Sequence, residues 1–200
     1  MTLVSAAQLA AFAPRADPAL APALDAAASE FGIATPPRLA AWMGQLHHES
    51  GGFTRLEENL RYSAQRLTQV WPSRFPSIAA ATPFAMNPEA LANKVYGGRM
   101  GNTQPGDGWR FRGRGLMQTT GRANYAAAAT ATGLDLLRNP DLLKTPAGAA
   151  RSAAVFWSDH GLSALADRDD VAGITRVING GQIGLDDRKA QVARAKTIWR

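Results

Sequence analysis

Apolar residues in this chain recur at steps of three and four, and the two-residue alternation of a half-buried strand is nearly absent. That is the period of helices with one face on a core. Over 36–50, Leu39, Trp42, Met43 and Leu46 fall at i, i+3, i+4 and i+7 and form one such face. The same reading predicts helices at about 5–12, 18–31, 36–50, 63–71, 88–96, 120–132, 146–160, 168–179 and 186–199. Start and stop residues agree with it. Asp17-Pro18, Pro36-Pro37, Asn87-Pro88, Asn139-Pro140 and Thr145-Pro146 each offer a capping side chain or a first-turn proline, which suits a helix start. Gly32, Gly51-Gly52, Gly97-Gly98, Gly133, Gly161 and Gly180-Gly181 follow helical runs, where a left-handed residue ends a helix. Alanine stretches at 126–129 and 149–154 suit close helix packing. The exceptions are an extended-looking stretch at 108–115 and a candidate hairpin near 53–61. The expectation is a mainly α fold with at most a minor β-hairpin, in one domain over 1–200. Proline and glycine are densest over 72–110. That region is read as a smaller lobe inserted into a core lobe of about 1–71 and 111–200.

Composition narrows the class. A 200-residue chain of 21.2 kDa buries roughly 70% of its unfolded surface and needs no covalent staple. It has no cysteine, which excludes disulfides, thiolate zinc sites, cysteine nucleophiles and iron–sulfur clusters. An apolar fraction of 46% with a mean hydropathy of −0.19 fits a soluble globule. No apolar run approaches the roughly 18 residues of a membrane span. The first 13 residues are fairly apolar but carry no Lys or Arg. They read as a helix capped near Ser5 rather than as a secretory leader. Lys and Arg number 22 against 16 acids, for a net charge of +6 and a pI near 10.3. Such a chain is drawn to polyanions: nucleic acid, an acidic membrane face or an anionic wall polymer.

Candidate chemistry begins at Glu49. At 100° per residue it lies about 20° from Trp42 on the wheel, at the edge of the apolar stripe. Desolvation there and the negative end of the helix would both favour the protonated acid, the form a general acid needs. The alternative is a partly exposed Glu ending a surface helix. Gly51-Gly52 would leave the backbone open to a substrate. Glu57 and Glu58 follow; a second carboxyl on a separate element completes the minimum apparatus for glycoside hydrolysis, unless both are solvated loop acids. His47 and His48 point to different sides of the helix, and no His-Glu-x-x-His motif is present. No metal and no cofactor are therefore expected, with His47 in packing and His48 on the surface. Over 109–125, arginines interleave with aromatics and glycines before Gln118, Thr119 and Thr120. No phosphate-loop motif is present, and the uncharged amides and hydroxyls suit a neutral sugar better than nucleic acid. Asn179 either contacts a ligand or caps a helix, and Arg188 either meets a cleft carboxylate or lies on the surface. Trp42 reads as core. Phe53, Tyr62, Trp109 and Tyr125 either stack on sugars or fill the interior.

Several motifs occur in a telling order: His47-His-Glu-Ser-Gly-Gly-Phe53, Glu58-Asn-Leu-Arg-Tyr-Ser63, Gly113-Arg-Gly-Leu-Met-Gln-Thr-Thr120, Asn124-Tyr125, Asn139-Pro-Asp-Leu142 and Ile178-Asn-Gly-Gly181. Over about 36–199 the chain thereby resembles glycoside hydrolase family 19, the plant-type chitinases, and within it the bacteriophage and prophage endolysin branch. The resemblance implies a lysozyme- and chitinase-like, two-lobed helical domain with a cleft. It implies Glu49 as general acid and Glu58 as general base of an inverting reaction, with carboxyls roughly 6.5–9.5 Å apart. It places Thr120 where a hydroxyl orients the water. Gln118, Asn124, Asn179 and Tyr62 fall on substrate-binding positions, and Arg188 on an arginine that organises the catalytic carboxylate. The chain departs from the chitinases in carrying no cysteine, Ala123 in place of an aromatic, and Gln182-Ile183 in place of an acid. These departures favour bacterial peptidoglycan over chitin, with a non-catalytic glycan-binding protein as a further alternative. Expected partners are peptidoglycan strands and an anionic envelope surface, with no nucleic acid. A monomer without a wall-binding module is expected, made in the host cytoplasm and released to the periplasm through a holin-type pore.

Overall fold

The computed structural model describes residues 1–200, and all of its regular elements are helical. Helix α1 (Ala6–Phe12) starts at Ser5, which forms a capping box with Gln8. Helix α2 (Leu20–Glu30) and α3 (Pro36–Ser50) follow, the latter with proline in its first turn. After α4 (Ala64–Val70) come a short α5 (Ile78–Ala81), a 3-10 turn at Thr82–Phe84, α6 (Pro88–Tyr96) and a single turn α7 (Asp107–Arg110). Helix α8 (Arg122–Thr132), a 3-10 turn at Pro140–Lys144, α9 (Pro146–Asp159), α10 (Leu162–Ala166), α11 (Val171–Asn179) and α12 (Leu185–Lys196) complete the chain. No helix is long and apolar enough to cross a membrane.

Helix α3 is the axis of the main core. Leu39 through Leu46 are all buried, because α3 is covered on several sides and not along one stripe. Gly44 lets α12 approach: a Cβ there would lie 2.6 Å from Val192 Cγ2 and 2.8 Å from its backbone N. Ala149, Ala150, Ala153 and Ala154 of α9 lie in the same core with Ala27 and Ala28 of α2, as the alanine run at 149–154 predicts. The two ends of the chain meet there. Trp199 packs edge-on against Phe12, and its indole donates to Leu3 O at 3.1 Å. A second apolar cluster gathers Leu60, Leu67, Phe75, Ala81, Leu91, Ala92 and Val95. A third gathers Phe111, Tyr125, Leu136 and Leu143.

The structure corrects four local expectations. Residues 53–61 form no hairpin; Glu57 bridges instead to Arg114, which bridges back to Thr119. The stretch 108–115 begins in the helical turn α7 and is extended only at this bridge. Helix α11 begins at Val171, because Asp170 caps it through Gly173 N, and 167–169 form the turn that links it to α10. In α8 only Tyr125 and Thr132 are buried; Ala128 and Ala129 pack half-buried against the third cluster while Ala127 faces solvent, so the alanines at 126–129 pack on one side only.

Candidate active site

Helix α3 carries Glu49 in its last turn, and the chain then reverses sharply. Ser50 is buried; its hydroxyl donates to Leu46 O at 2.6 Å and accepts from Phe53 N at 2.8 Å. Gly51, Gly52 and Phe53 follow with φ of +59°, +74° and +62°. A left-handed phenylalanine costs roughly 1–3 kcal/mol. Its ring offsets that cost by packing in the core beside Phe12 and His47. The glycines therefore serve the turn and not substrate access. Arg55 occupies the space over Gly51, and His47 the space over Gly52.

Glu49 does emerge at the edge of the stripe, but against a cation rather than apolar surface. Arg188 of α12, 2% exposed, donates through Nη1 to Gln45 Oε1 at 2.6 Å and through Nη2 to Glu49 Oε1. A buried guanidinium needs both partners, since an unpaired buried charge is strongly destabilising. Glu49 Oε2 receives no hydrogen bond within the chain.

Glu58 is held by different partners. Its Oε1 accepts from Gly113 N at 2.5 Å and its Oε2 from the Tyr96 hydroxyl at 2.7 Å. The backbones pair as well, Glu58 N donating to Gly113 O at 3.0 Å. Tyr96 is pushed above the ordinary tyrosine range, first by burial and then by its bond to Glu58, so it stays a protonated donor. Tyr62 lies close enough to act on the same phenol and packs edge-on against Trp71. Gly113 is the point of convergence. A Cβ there would sit 3.2 Å from both Gln118 Oε1 and Thr120 Oγ1, and 3.4 Å from Glu58 Cβ. Gln118 holds φ of +51° and donates to Gly115 O at 2.9 Å. Thr120 donates to Gln118 O at 2.9 Å, and Asn124 to Thr120 O at 2.7 Å. Glu58, Gln118, Thr120 and Asn124 thus form one connected surface.

The remaining candidates separate from it. Glu57 is bound by Arg112 and flanked by Lys144 at 3.3 Å and Arg114 at 3.9 Å. Arg112 lies over the Trp109 ring, 3.6 Å from its centroid, and Arg114 faces Asp141 at 2.8 Å. The arginines at 112 and 114 are buried pair partners, not a basic surface. Trp42, Phe53 and Tyr125 are core residues. The Tyr125 phenol is pushed up to about 12 by burial and donates to Arg112 O. Asn179 is exposed and bonds within its own turn, to Ile183 O at 3.4 Å. His48 lies on the surface side, 2.5 Å from Asp187, and His47 packs on Phe12 with ring centroids 5.0 Å apart.

Comparison with known proteins matches this chain to a family. A family model described as chitinase class I matches residues 77–164. A Haemophilus influenzae protein described as a glycosyl hydrolase family 19 domain-containing protein is 38% identical over 168 residues, covering 83% of this chain and 82% of its own. This chain belongs to glycoside hydrolase family 19. It is therefore a glycosidase domain of the chitinase type. Rice chitinase 8 is 38% identical over 105 residues, 42% of this chain and 40% of the rice protein; the match thus spans about two fifths of that plant relative. In solved structures, chitinase C from Streptomyces griseus HUT6037 superposes with a TM-score of 0.69 at 20% identity, covering 99% of this chain and 93% of that one. A second bacterial family 19 chitinase gives 0.67 at 22% identity, covering 98% and 95%. These likenesses show the fold, and they take in the first 35 residues as well as the motifs.

Three residues of this family 19 domain escape a reading of the sequence. Gln45 lies one turn before Glu49 and about 40° from it on the wheel, outside the apolar stripe, so nothing local marks it as a partner of Arg188. Tyr96 lies 38 residues from Glu58, with nothing local to link them. Gly113 acts through its N–H and its lack of a side chain, which no side-chain inventory records.

Proposed function

We propose that this family 19 domain is a phage or prophage endolysin that hydrolyses the β-1,4 bond between N-acetylmuramic acid and N-acetylglucosamine in bacterial peptidoglycan. The observation that carries the chemistry is the unlike settings of its two carboxyls. Glu58 is gripped by two donors, as a carboxylate acceptor is, and serves as general base. Glu49 keeps Oε2 unbonded while Arg188 holds Oε1, and serves as general acid. Water adds to the anomeric carbon and gives its proton to Glu58. The bond to the leaving oxygen breaks, and Glu49 protonates that oxygen, with inversion in one displacement. Thr120 orients the water; Gln118, Asn124 and Tyr62 contact sugar; Arg188 positions Glu49. The net charge of +6 supports an anionic wall polymer as the substrate. Synthesis in the host cytoplasm and release to the wall through a holin-type pore belong to the same reading.

A second reading, chitin hydrolysis, is favoured by the chitinase class I match over 77–164. Digestion of purified Gram-negative peptidoglycan, followed by borohydride reduction and mass spectrometry, separates the two. Reduced N-acetylmuramic acid ends that vanish with Glu49→Gln are expected. Soluble chito-oligomers from chitin, with no new wall ends, would transfer the substrate to chitin.

A further inference from the structure

Helix α12 is joined to the last two turns of α3 by a ladder of contacts, and Glu49 is only one rung. Val192 lies against Gly44, Arg188 bonds both Gln45 and Glu49, and His48 meets Asp187 at 2.5 Å. Gln45 is the rung that the hydrolytic step leaves unexplained. Its side chain is fully buried. A guanidinium only donates, so Gln45 must present Oε1 to Arg188 Nη1, at 2.6 Å. Its Nε2 is then buried with no acceptor of the chain within reach. An orphaned donor of this kind costs stability. A glutamate at 45 would remove it and offer the buried cation a second charge. The neutral amide at this position therefore needs a functional reason.

The guanidinium fork is rigid and matches a carboxylate bidentately. With Nη1 free, Arg188 can turn both terminal nitrogens onto Glu49 and bind both of its oxygens. With Nη1 held by Gln45, only Nη2 reaches Glu49, and Oε2 stays open. That open oxygen carries the proton to the leaving group in the reading above. Neutrality matters as well. A carboxylate at 45 would divide the charge of Arg188 between two anions and set a like charge one turn from Glu49. We propose that Gln45 is a positioning residue: by occupying Nη1 with an uncharged acceptor, it keeps Arg188 on a single oxygen of Glu49 and reserves Oε2 for the proton. The inference rests on Glu49 as general acid and not on which polymer is cleaved. Arg188 is the one ion-pair partner of Glu49. Among the other charges around the end of α3, Asp187 pairs with His48, Arg194 acts on His47 and Arg55 lies over Gly51. Asp186 and Lys189 of α12 are exposed, and α10 brings no charge. All of these are the same in every variant below, so differences between variants report on position 45.

Two variants test it by moving the reaction in opposite directions. Gln45→Met keeps the shape of an unbranched side chain and frees Nη1. Glu49 then gives up its proton more readily, and the alkaline limb of kcat/KM is expected to move down by about one pH unit. Its kcat at neutral pH should fall roughly ten- to hundredfold with KM held. Gln45→Glu should move the same limb up by about one pH unit. The acid limb, set by Glu58, should stay in place in both. A ¹³C titration of the Glu49 carboxyl carbon should follow the same two shifts without substrate, and thermal melts establish that each protein is folded. Should Gln45→Met not fold, the upward shift in Gln45→Glu decides alone. Unmoved limbs and carbon titrations in folded variants, or shifts of both in one direction, overturn the proposal and leave Gln45 a structural partner of Arg188. If Glu49→Gln turns over at the native rate, Glu49 is not the general acid, and the reading and the proposal fall together. If the carbon shifts occur as expected while neither peptidoglycan nor chitin is cleaved, the hydrolytic reading fails and the hold of Gln45 on Glu49 stands.

Discussion

Glu57 and Glu58 are neighbours in sequence with opposite surroundings. Glu57 pairs with buried Arg112, while Glu58 is gripped by Gly113 and Tyr96 at the surface that also holds Thr120. Their substitutions should differ in kind. Glu58→Gln is expected to abolish turnover with the fold intact, whereas Glu57→Gln should keep turnover and lower stability by about 1–3 kcal/mol. Turnover assays beside urea unfolding check the pair, and a dead but fully stable Glu57→Gln protein would reverse the assignment. Tyr96→Phe removes one of two donors to Glu58, a charge-assisted bond of about 1.5–3 kcal/mol. It should lower kcat roughly ten- to hundredfold with little change in KM; an unchanged kcat would leave Tyr96 a packing residue. His47 supplies a pH prediction. Burial, and next the Arg194 charge, hold its imidazole below the usual histidine range, while Asp187 opposes and His48 adds to the effect. The unfolded chain therefore takes up a proton near pH 6.5 that the folded chain refuses until lower pH. Stability falls as pH drops below that point and levels off once folded His47 also titrates. Urea midpoints from pH 7 to 5 should show the decline, and His47→Phe should flatten it.

Helix α3 combines two demands, close packing and delivery of Glu49. Its Gly44 lies against the backbone of Val192. Alanine there gains about 1 kcal/mol of helix propensity but cannot move a backbone nitrogen 2.8 Å away. Gly44→Ala is expected to lose about 1–3 kcal/mol net, seen as a Tm drop of roughly 2–10 °C; a rise in Tm would mean that α12 yields easily. Legibility varies between elements for a physical reason. Helices such as α1, α3, α6 and α9 are readable locally because a capping side chain or a first-turn proline and an apolar face lie within one segment. The short α5, α7 and α10 and the 3-10 turn at Pro140–Lys144 are held by tertiary contacts and show no periodicity over so few residues. The bridge of Glu57 to Arg114 joins segments far apart in sequence, which a local hairpin expectation at 53–61 cannot see.

Across the whole molecule, α12 returns from the far end of the chain to place Arg188 on Glu49, 139 residues away. Phe12, Trp199 and Leu3 close the two termini into the same core. Periodicity, caps, cysteine-free composition and ordered motifs suffice to read a helical family 19 domain and to single out Glu49, Glu58, Gln118, Thr120 and Asn124 as candidates, because those properties are written in neighbouring residues. The motif around Glu58 prefers it to Glu57, and the partners that set the two apart, Gly113 and Tyr96 against Arg112 and Lys144, come from distant segments. The unbonded oxygen of Glu49, the donor from Tyr96 and the hold of Gln45 on Arg188 depend on how distant segments meet. A carboxyl's neighbours come from long-range packing, and packing of that kind leaves no local trace in the order of residues.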